Sequence, residues 1–302
     1  MPHLRRWIRR TAVGGVTLAI ALSLFAALTP FSTAMAGAAT PTQPFYLDLG
    51  ASVSVGVQPT PTDPKGHPTI HGYANDLVAM AAANGVSLAL TRLGCPGESV
   101  DTFINGGDHC YTGNDTQLSD ALAFLRAHHD QTGLVTIDLG FNTIAPCFDG
   151  HVFDATCLAQ KFATLPPQLS QVVASLKAAA GPNVTFVGVG HYDPFYASAL
   201  SGASGQAFAA ASVGVMRALN DVLQSVYSSF NVPFAKVAEA FSDHTHALVP
   251  LAKGVTVTGN VGAACSLTWM CAPAPFGPNI HPTDAGYHVI ARAIAALIPS
   301  SL

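Results

Sequence analysis

Four residues on four separate loops have types and neighbours that could do chemistry. Ser52, in Gly50-Ala51-Ser52, offers a hydroxyl just past an apolar run, where it can stand at the rim of a sheet. Gly97, in Leu93-Gly94-Cys95-Pro96-Gly97-Glu98-Ser99, lets a backbone N–H approach a ligand closely. Asn142, in Asp138-Leu139-Gly140-Phe141-Asn142-Thr143, carries an amide donor suited to developing negative charge. His281, in Asn279-Ile280-His281-Pro282, stands on a proline-rigid turn and can act as a base. Taken singly, each fits an ordinary turn, cap or surface position. Together they place a hydroxyl, an approachable backbone N–H, an amide and an imidazole on successive loops.

Such residues meet only if the fold gathers their loops at one edge. Apolar runs of strand length at Phe45–Leu49, Val86–Leu90, Leu134–Leu139, Val184–Val189 and Pro233–Val237 alternate with longer helical patterns. Helices are predicted at Tyr73–Ala83, Thr116–His128, Ala163–Ala180, Gly205–Phe230 and Asp284–Leu297. The alternation predicts an α/β fold, a parallel sheet covered by helices on both faces. Ligands of such sheets bind at the carboxyl ends of the strands, and the Ser, Gly and Asn each follow a predicted strand. From Thr40 to Leu302 there is no repeat, charge block or linker, so residues 40–302 are expected to form a single domain. The proline-rich run Gln58–Pro64 reads as a surface loop, and His128-His129 and His244-Thr245-His246 as solvated loop residues.

The order of the four residues, with His281 last before the terminal helix, resembles that of the SGNH hydrolases, the GDSL-type lipase/esterase family. Gly50-Ala51-Ser52 matches its first block and Gly97 its second. Gly140-Phe141-Asn142-Thr143 matches the third, and His281-Pro282 with Gly286-Tyr287 the fourth. The segments Cys95–Glu98, Tyr192–Pro194 and Cys265–Cys271 are similar to those of secreted actinobacterial members. The resemblance spans nearly the whole chain after the first forty residues. It implies a three-layer α/β/α sandwich of flavodoxin-like type with a mostly parallel five-stranded sheet. It also implies a serine ester hydrolase in which Ser52 attacks and His281 is the base. Ser52 N–H, Gly97 N–H and the Asn142 amide would form the oxyanion hole. No metal or organic cofactor is implied, and the substrate would be a small-molecule, lipid or glycan ester.

Three carboxylates of the family pattern are missing. Ala51 and Thr143 stand where the first and third blocks carry Asp, and Pro278 and Asn279 occupy the positions of the acid before the His. A Ser–His dyad is therefore expected, with Asn279 or a neighbouring carbonyl orienting His281. The rival expectation is a non-catalytic glycan- or lipid-binding protein on the same fold. The Val55–His71 loop and the Cys147–Cys157 segment are the expected pocket walls.

Charged residues are only 10% of the 302, against roughly 25% in ordinary soluble proteins. Four of the 13 basic residues, Arg5, Arg6, Arg9 and Arg10, precede the uncharged stretch Thr11–Leu28 and the small-residue site Ala34-Met35-Ala36. This is the pattern of a cleaved signal peptide over residues 1–36 and predicts a secreted protein. The paired arginines also fit twin-arginine export. Beyond that segment nine basic residues face 17 acidic ones, which excludes a nucleic-acid footprint. No later run is long enough to span a membrane, and a monomer is expected. The six cysteines admit several pairings; their spacing in close couples predicts Cys95–Cys110, Cys147–Cys157 and Cys265–Cys271 as loop staples. A zinc site is the competing reading, disfavoured by the lack of ligand spacing.

Overall fold

Alternation along the central strands sends side chains to two opposite cores. In β1 (Phe45–Gly50), Leu47 and Leu49 enter one core while Tyr46 enters the other. In β3 (Thr132–Asp138), Val135 and Ile137 take the first and Leu134 the second. A computed structural model describes residues 43–251 and 254–299 of the chain. The signal segment expected at residues 1–36 lies outside the described residues.

The sheet also contains β2 (Ala89–Arg92), β4 (Thr185–Val189) and β5 (Phe234–Ala235), in the order β2-β1-β3-β4-β5. All its pairings are parallel. On one face lie α1 (Tyr73–Ala83) and α9 (Asp284–Ala295). On the other lie α3 (Gln117–Ala127), α5 (Ala155–Ala180) and α6 (Gly202–Ser229). The result is the predicted three-layer sandwich. Strand order reverses at β1 and β3, so the loops leaving these strands diverge and open a crevice. Gly50 pairs with Asp138 at that point, and a Cβ there would collide with the Asp138 carbonyl. Its φ of 140° is likewise open mainly to glycine, so the chain leaves β1 through a residue without a side chain.

Several boundaries moved from the sequence expectation. The second strand starts at Ala89, not Val86, because β1 begins at Phe45 and has nothing to pair with earlier residues. Val86 instead donates to Ala81 O in the turn that ends α1. The helix expected from Ala163 starts at Ala155, where Asp154 caps it by accepting from the N–H groups of Thr156 and Cys157. Pro166 and Pro167 lie within it. The fifth strand is only two residues long, and Val237 already begins α7 (Val237–Ala240). Three short features had no apolar period to announce them: α2 (Val100–Asn105), the β6–β7 hairpin (Leu248–Pro250 with Thr256–Thr258), and α8 (Gly259–Leu267). His128 is not a solvated loop residue, since its ring packs 4.2 Å from Phe45 and 4.5 Å from Phe124. Among the described residues, no helix is long and apolar enough to cross a membrane.

Candidate active site

The loop after β1 turns back on itself at once. Ala51 N donates to the Asp138 carbonyl at 3.1 Å, and Ser54 Oγ donates to Ala51 O at 2.8 Å. Between these anchors Ser52 lines a cleft of about 430 Å³, measured with its open mouth. Among the described residues the Ser52 hydroxyl has no hydrogen-bond partner, so it is uncommitted.

Asn142 lines the same cleft from α4 (Phe141–Ile144), which starts directly after Gly140. Its Nδ2 donates to Glu98 O at 3.2 Å. A primary amide has two N–H bonds, so one remains for a ligand. Thr143, in the position where the family pattern has Asp, accepts from Val100 N at 3.1 Å and so ties this turn to the start of α2. Gly97 is exposed, with φ 89°, and is not among the residues lining the cleft. Its neighbour Glu98 makes the link to Asn142.

His281 lines the cleft opposite and is fixed from three directions. Its carbonyl accepts from Trp269 N at 3.0 Å, and the preceding Ile280 carbonyl accepts from Tyr192 Oη at 2.7 Å. Its Nδ1 lies 2.8 Å from Asn279 Oδ1. The Asn279 amide has only one consistent orientation, because its Nδ2 donates to Pro64 O at 2.9 Å and Lys65 O at 3.3 Å. Oδ1 is therefore the acceptor, Nδ1 carries the proton, and Nε2 keeps its lone pair. Burial pushes the imidazole down to about 4. The ring is thus neutral at neutral pH, the form in which it can accept a proton.

The Val55–His71 loop does not wall the cleft as expected. It braces the histidine block instead, through Asn279, through Gln58 Nε2 donating to Asp284 Oδ1 at 2.6 Å, and through Val57 O accepting from Tyr287 Oη. The Cys147–Cys157 segment is not in the lining either. Its Phe148 packs behind Phe141 and Phe195, at 5.9 and 5.1 Å. The apolar walls come from Val53, Phe141, Tyr192, Pro194 and Ile280. Two polar residues in the lining were not anticipated. Asp138 is buried, burial raises its carboxyl pKa, and its Oδ1 lies 3.6 Å from Nδ1 of His191. Asp138 belongs to the third motif itself, so an acidic residue between a strand and Gly140 was the available signal.

The three expected disulfides are all present, at sequence separations of 15, 10 and 6. Cys95 and Cys110 approach His109, and Cys95 also approaches Glu98 and Asp108, but both cysteines are oxidised and offer no thiolate to a metal.

Comparison with known proteins agrees with this layout. The model of the GDSL-like lipase/acylhydrolase family matches residues 48–289, so the chain belongs to that family and with it to the carboxylic ester hydrolases. Phospholipase A1 from Streptomyces albidoflavus shares the fold, with a TM-score of 0.54 at 20% identity, over 84% of this chain and 99% of that one. An extracellular lipase from Streptomyces rimosus gives 0.54 at 22% identity with the same two coverages. No curated protein matches the chain in sequence.

Proposed function

We propose that this protein is a secreted, monomeric ester hydrolase of lipase/esterase type that works through a Ser52–His281 dyad. The observation that carries the reading is the Asn279–His281 contact, which leaves Nε2 unprotonated in the cleft that Ser52 also lines. In the mechanism, Nε2 takes the Ser52 proton as Oγ attacks the ester carbonyl. The oxyanion is held by the N–H groups of Ser52 and Gly97 and by the free N–H of Asn142. His281 passes the proton to the leaving alcohol, and water then releases the acyl group by the same steps in reverse. Asn279 keeps the ring in the productive tautomer without contributing charge, as the asparagine of a Cys–His–Asn set does.

The apolar walls of the cleft suit an aliphatic acyl chain. Export is part of the same reading, with residues 1–36 removed and residues 40–302 acting as one domain. The arginine-led apolar segment and the three disulfides support it. Turnover of p-nitrophenyl acetate, butyrate and palmitate by the wild type and Ser52→Ala is the test. Hydrolysis of at least one of these esters, lost in the variant, together with fluorophosphonate labelling of Ser52, is expected. Equal rates for the two proteins would favour a non-catalytic binding protein.

A further inference from the structure

Gln117 is the first residue of α3, yet its side chain is fully buried and none of its bonds serves the helix. Its Oε1 accepts from Gly50 N at 2.7 Å, and its Nε2 donates to Gly50 O at 2.9 Å. The same Nε2 donates to Glu98 Oε2 at 3.0 Å. Both amide hydrogens are thereby used, one on the serine loop and one on the glycine loop. Gly50 O also accepts from Cys95 N at 3.0 Å, a second tie between these loops.

Glu98 continues the chain of contacts. Its other carboxyl oxygen accepts from the Thr102 hydroxyl, and its backbone carbonyl accepts from Asn142 Nδ2 at 3.2 Å. The buried Gln117 amide, with the carboxyl group and the backbone carbonyl of Glu98, thus connects the residue two before Ser52, the residue after Gly97 and the side chain of Asn142. The first two stand beside Ser52 and Gly97, which with Asn142 are the sources of oxyanion donors in the proposed mechanism. A leucine could fill the volume of Gln117; only an amide can bond both polar groups of Gly50 and a carboxylate together.

We infer that Gln117, acting through Gly50 and Glu98, is the positioning residue that sets the spacing of the oxyanion donors. The inference rests on the hydrolase reading for its catalytic meaning. It predicts an effect on the transition state rather than on substrate affinity, because the oxyanion forms only as the carbonyl is attacked.

The test measures kcat and KM for p-nitrophenyl butyrate, the melting temperature, and amide hydrogen exchange in the segments 46–56 and 95–99. Gln117→Leu is expected to lower kcat about 100-fold with KM within about threefold, and to speed exchange in both segments. Combined with Asn142→Ala, it should cost less than the product of the single losses, since both act on one oxyanion site. Glu98→Gln, which can still accept from Gln117 and donate to Thr102, should stay within about threefold of wild type, whereas Glu98→Leu should fall with Gln117→Leu. If Gln117→Leu does not fold, Gln117→Glu replaces it, keeping the acceptor for Gly50 N and losing the donors. A kcat within about twofold of wild type, or fully multiplicative losses with Asn142→Ala, would overturn the inference. Exchange is read independently of turnover. Wild-type activity equal to that of Ser52→Ala would defeat the hydrolase reading, while unchanged exchange in a folded Gln117 variant would defeat this inference alone.

Discussion

The Asn279 amide is locked by the carbonyls of Pro64 and Lys65, so an aspartate at that position would set acceptors against acceptors. The local chain has therefore been built around an amide, and restoring the family acid is not a simple gain. For the wild type, kcat/KM should hold through pH 5 and fall as pH drops through about 4, because burial favours the unprotonated imidazole. In Asn279→Asp the added carboxylate would favour the charged ring, which moves that limb to higher pH and lowers the melting temperature. A pH profile of the two proteins with one short ester checks both signs. Asn279→Ala frees the ring and should lower kcat about 100-fold without moving KM much. An asparagine was visible before His281 in the sequence; that it holds the ring by Oδ1 was not, because the carbonyls that orient it lie more than two hundred residues away.

Each site residue is delivered by an element whose local reasons are short-range. The β1 strand ends in a glycine, α4 follows Gly140, and α9 begins behind His281 with Thr283 accepting from Gly286 N. The end of β1 and the start of α9 were legible as patterns bounded by Gly, Pro and a capping residue, whereas α4 was not, its residues reading as a loop. Of what joins them, the cysteine couple was legible and the hydrogen bonds were not. The Gly97 turn is held between the Cys95–Cys110 disulfide and the α2 capping box of Ser99 and Thr102. Removing the disulfide as Cys95→Ser/Cys110→Ser should cost about 3 kcal/mol for a loop of this length. Denaturant melts would read that loss. The Gly97 turn would also loosen, so kcat for a short ester should fall even at temperatures where the variant remains folded.

Across the molecule, a chain with few charges has placed several acids inside. Asp48, Glu98, Asp138, Asp193 and Asp243 are all buried. Burial pushes Glu98 up to about 7 and Asp243 up to about 8, the latter also facing Asp193. The folded state therefore holds protons that the unfolded chain has released above about pH 4. Stability contributed by these groups is fully present below about pH 4 and is lost progressively until pH has risen through 7 and 8. The melting temperature should accordingly decline from pH 6 to pH 8 and then level off as far as these groups are concerned. Asp243→Asn keeps an acceptor for Asp193 N, which now donates to Asp243 at 2.8 Å, and should flatten that decline. A scan of melting temperature against pH for the two proteins reads it; parallel slopes would show that Asp243 does not contribute.

Sequence alone determined the sandwich, the order of its main helices and strands, the cysteine couples, and the serine, asparagine and histidine that line the cleft. The strands, helices and cysteine couples follow from periodicity, turn residues and spacing, whereas the five-stranded sandwich and the choice of serine, asparagine and histidine rest on the resemblance to the SGNH hydrolases. The tertiary structure decided the orientation of Asn279, the bracing role of the Val55–His71 loop, and the walls of the cleft. It also brought Gln117 under Gly50 and Glu98 against Asn142. The physical reason is common to all of these. A hydrogen bond between residues far apart in the chain leaves no local pattern, and a buried amide reads in sequence like any exposed one until its partners arrive.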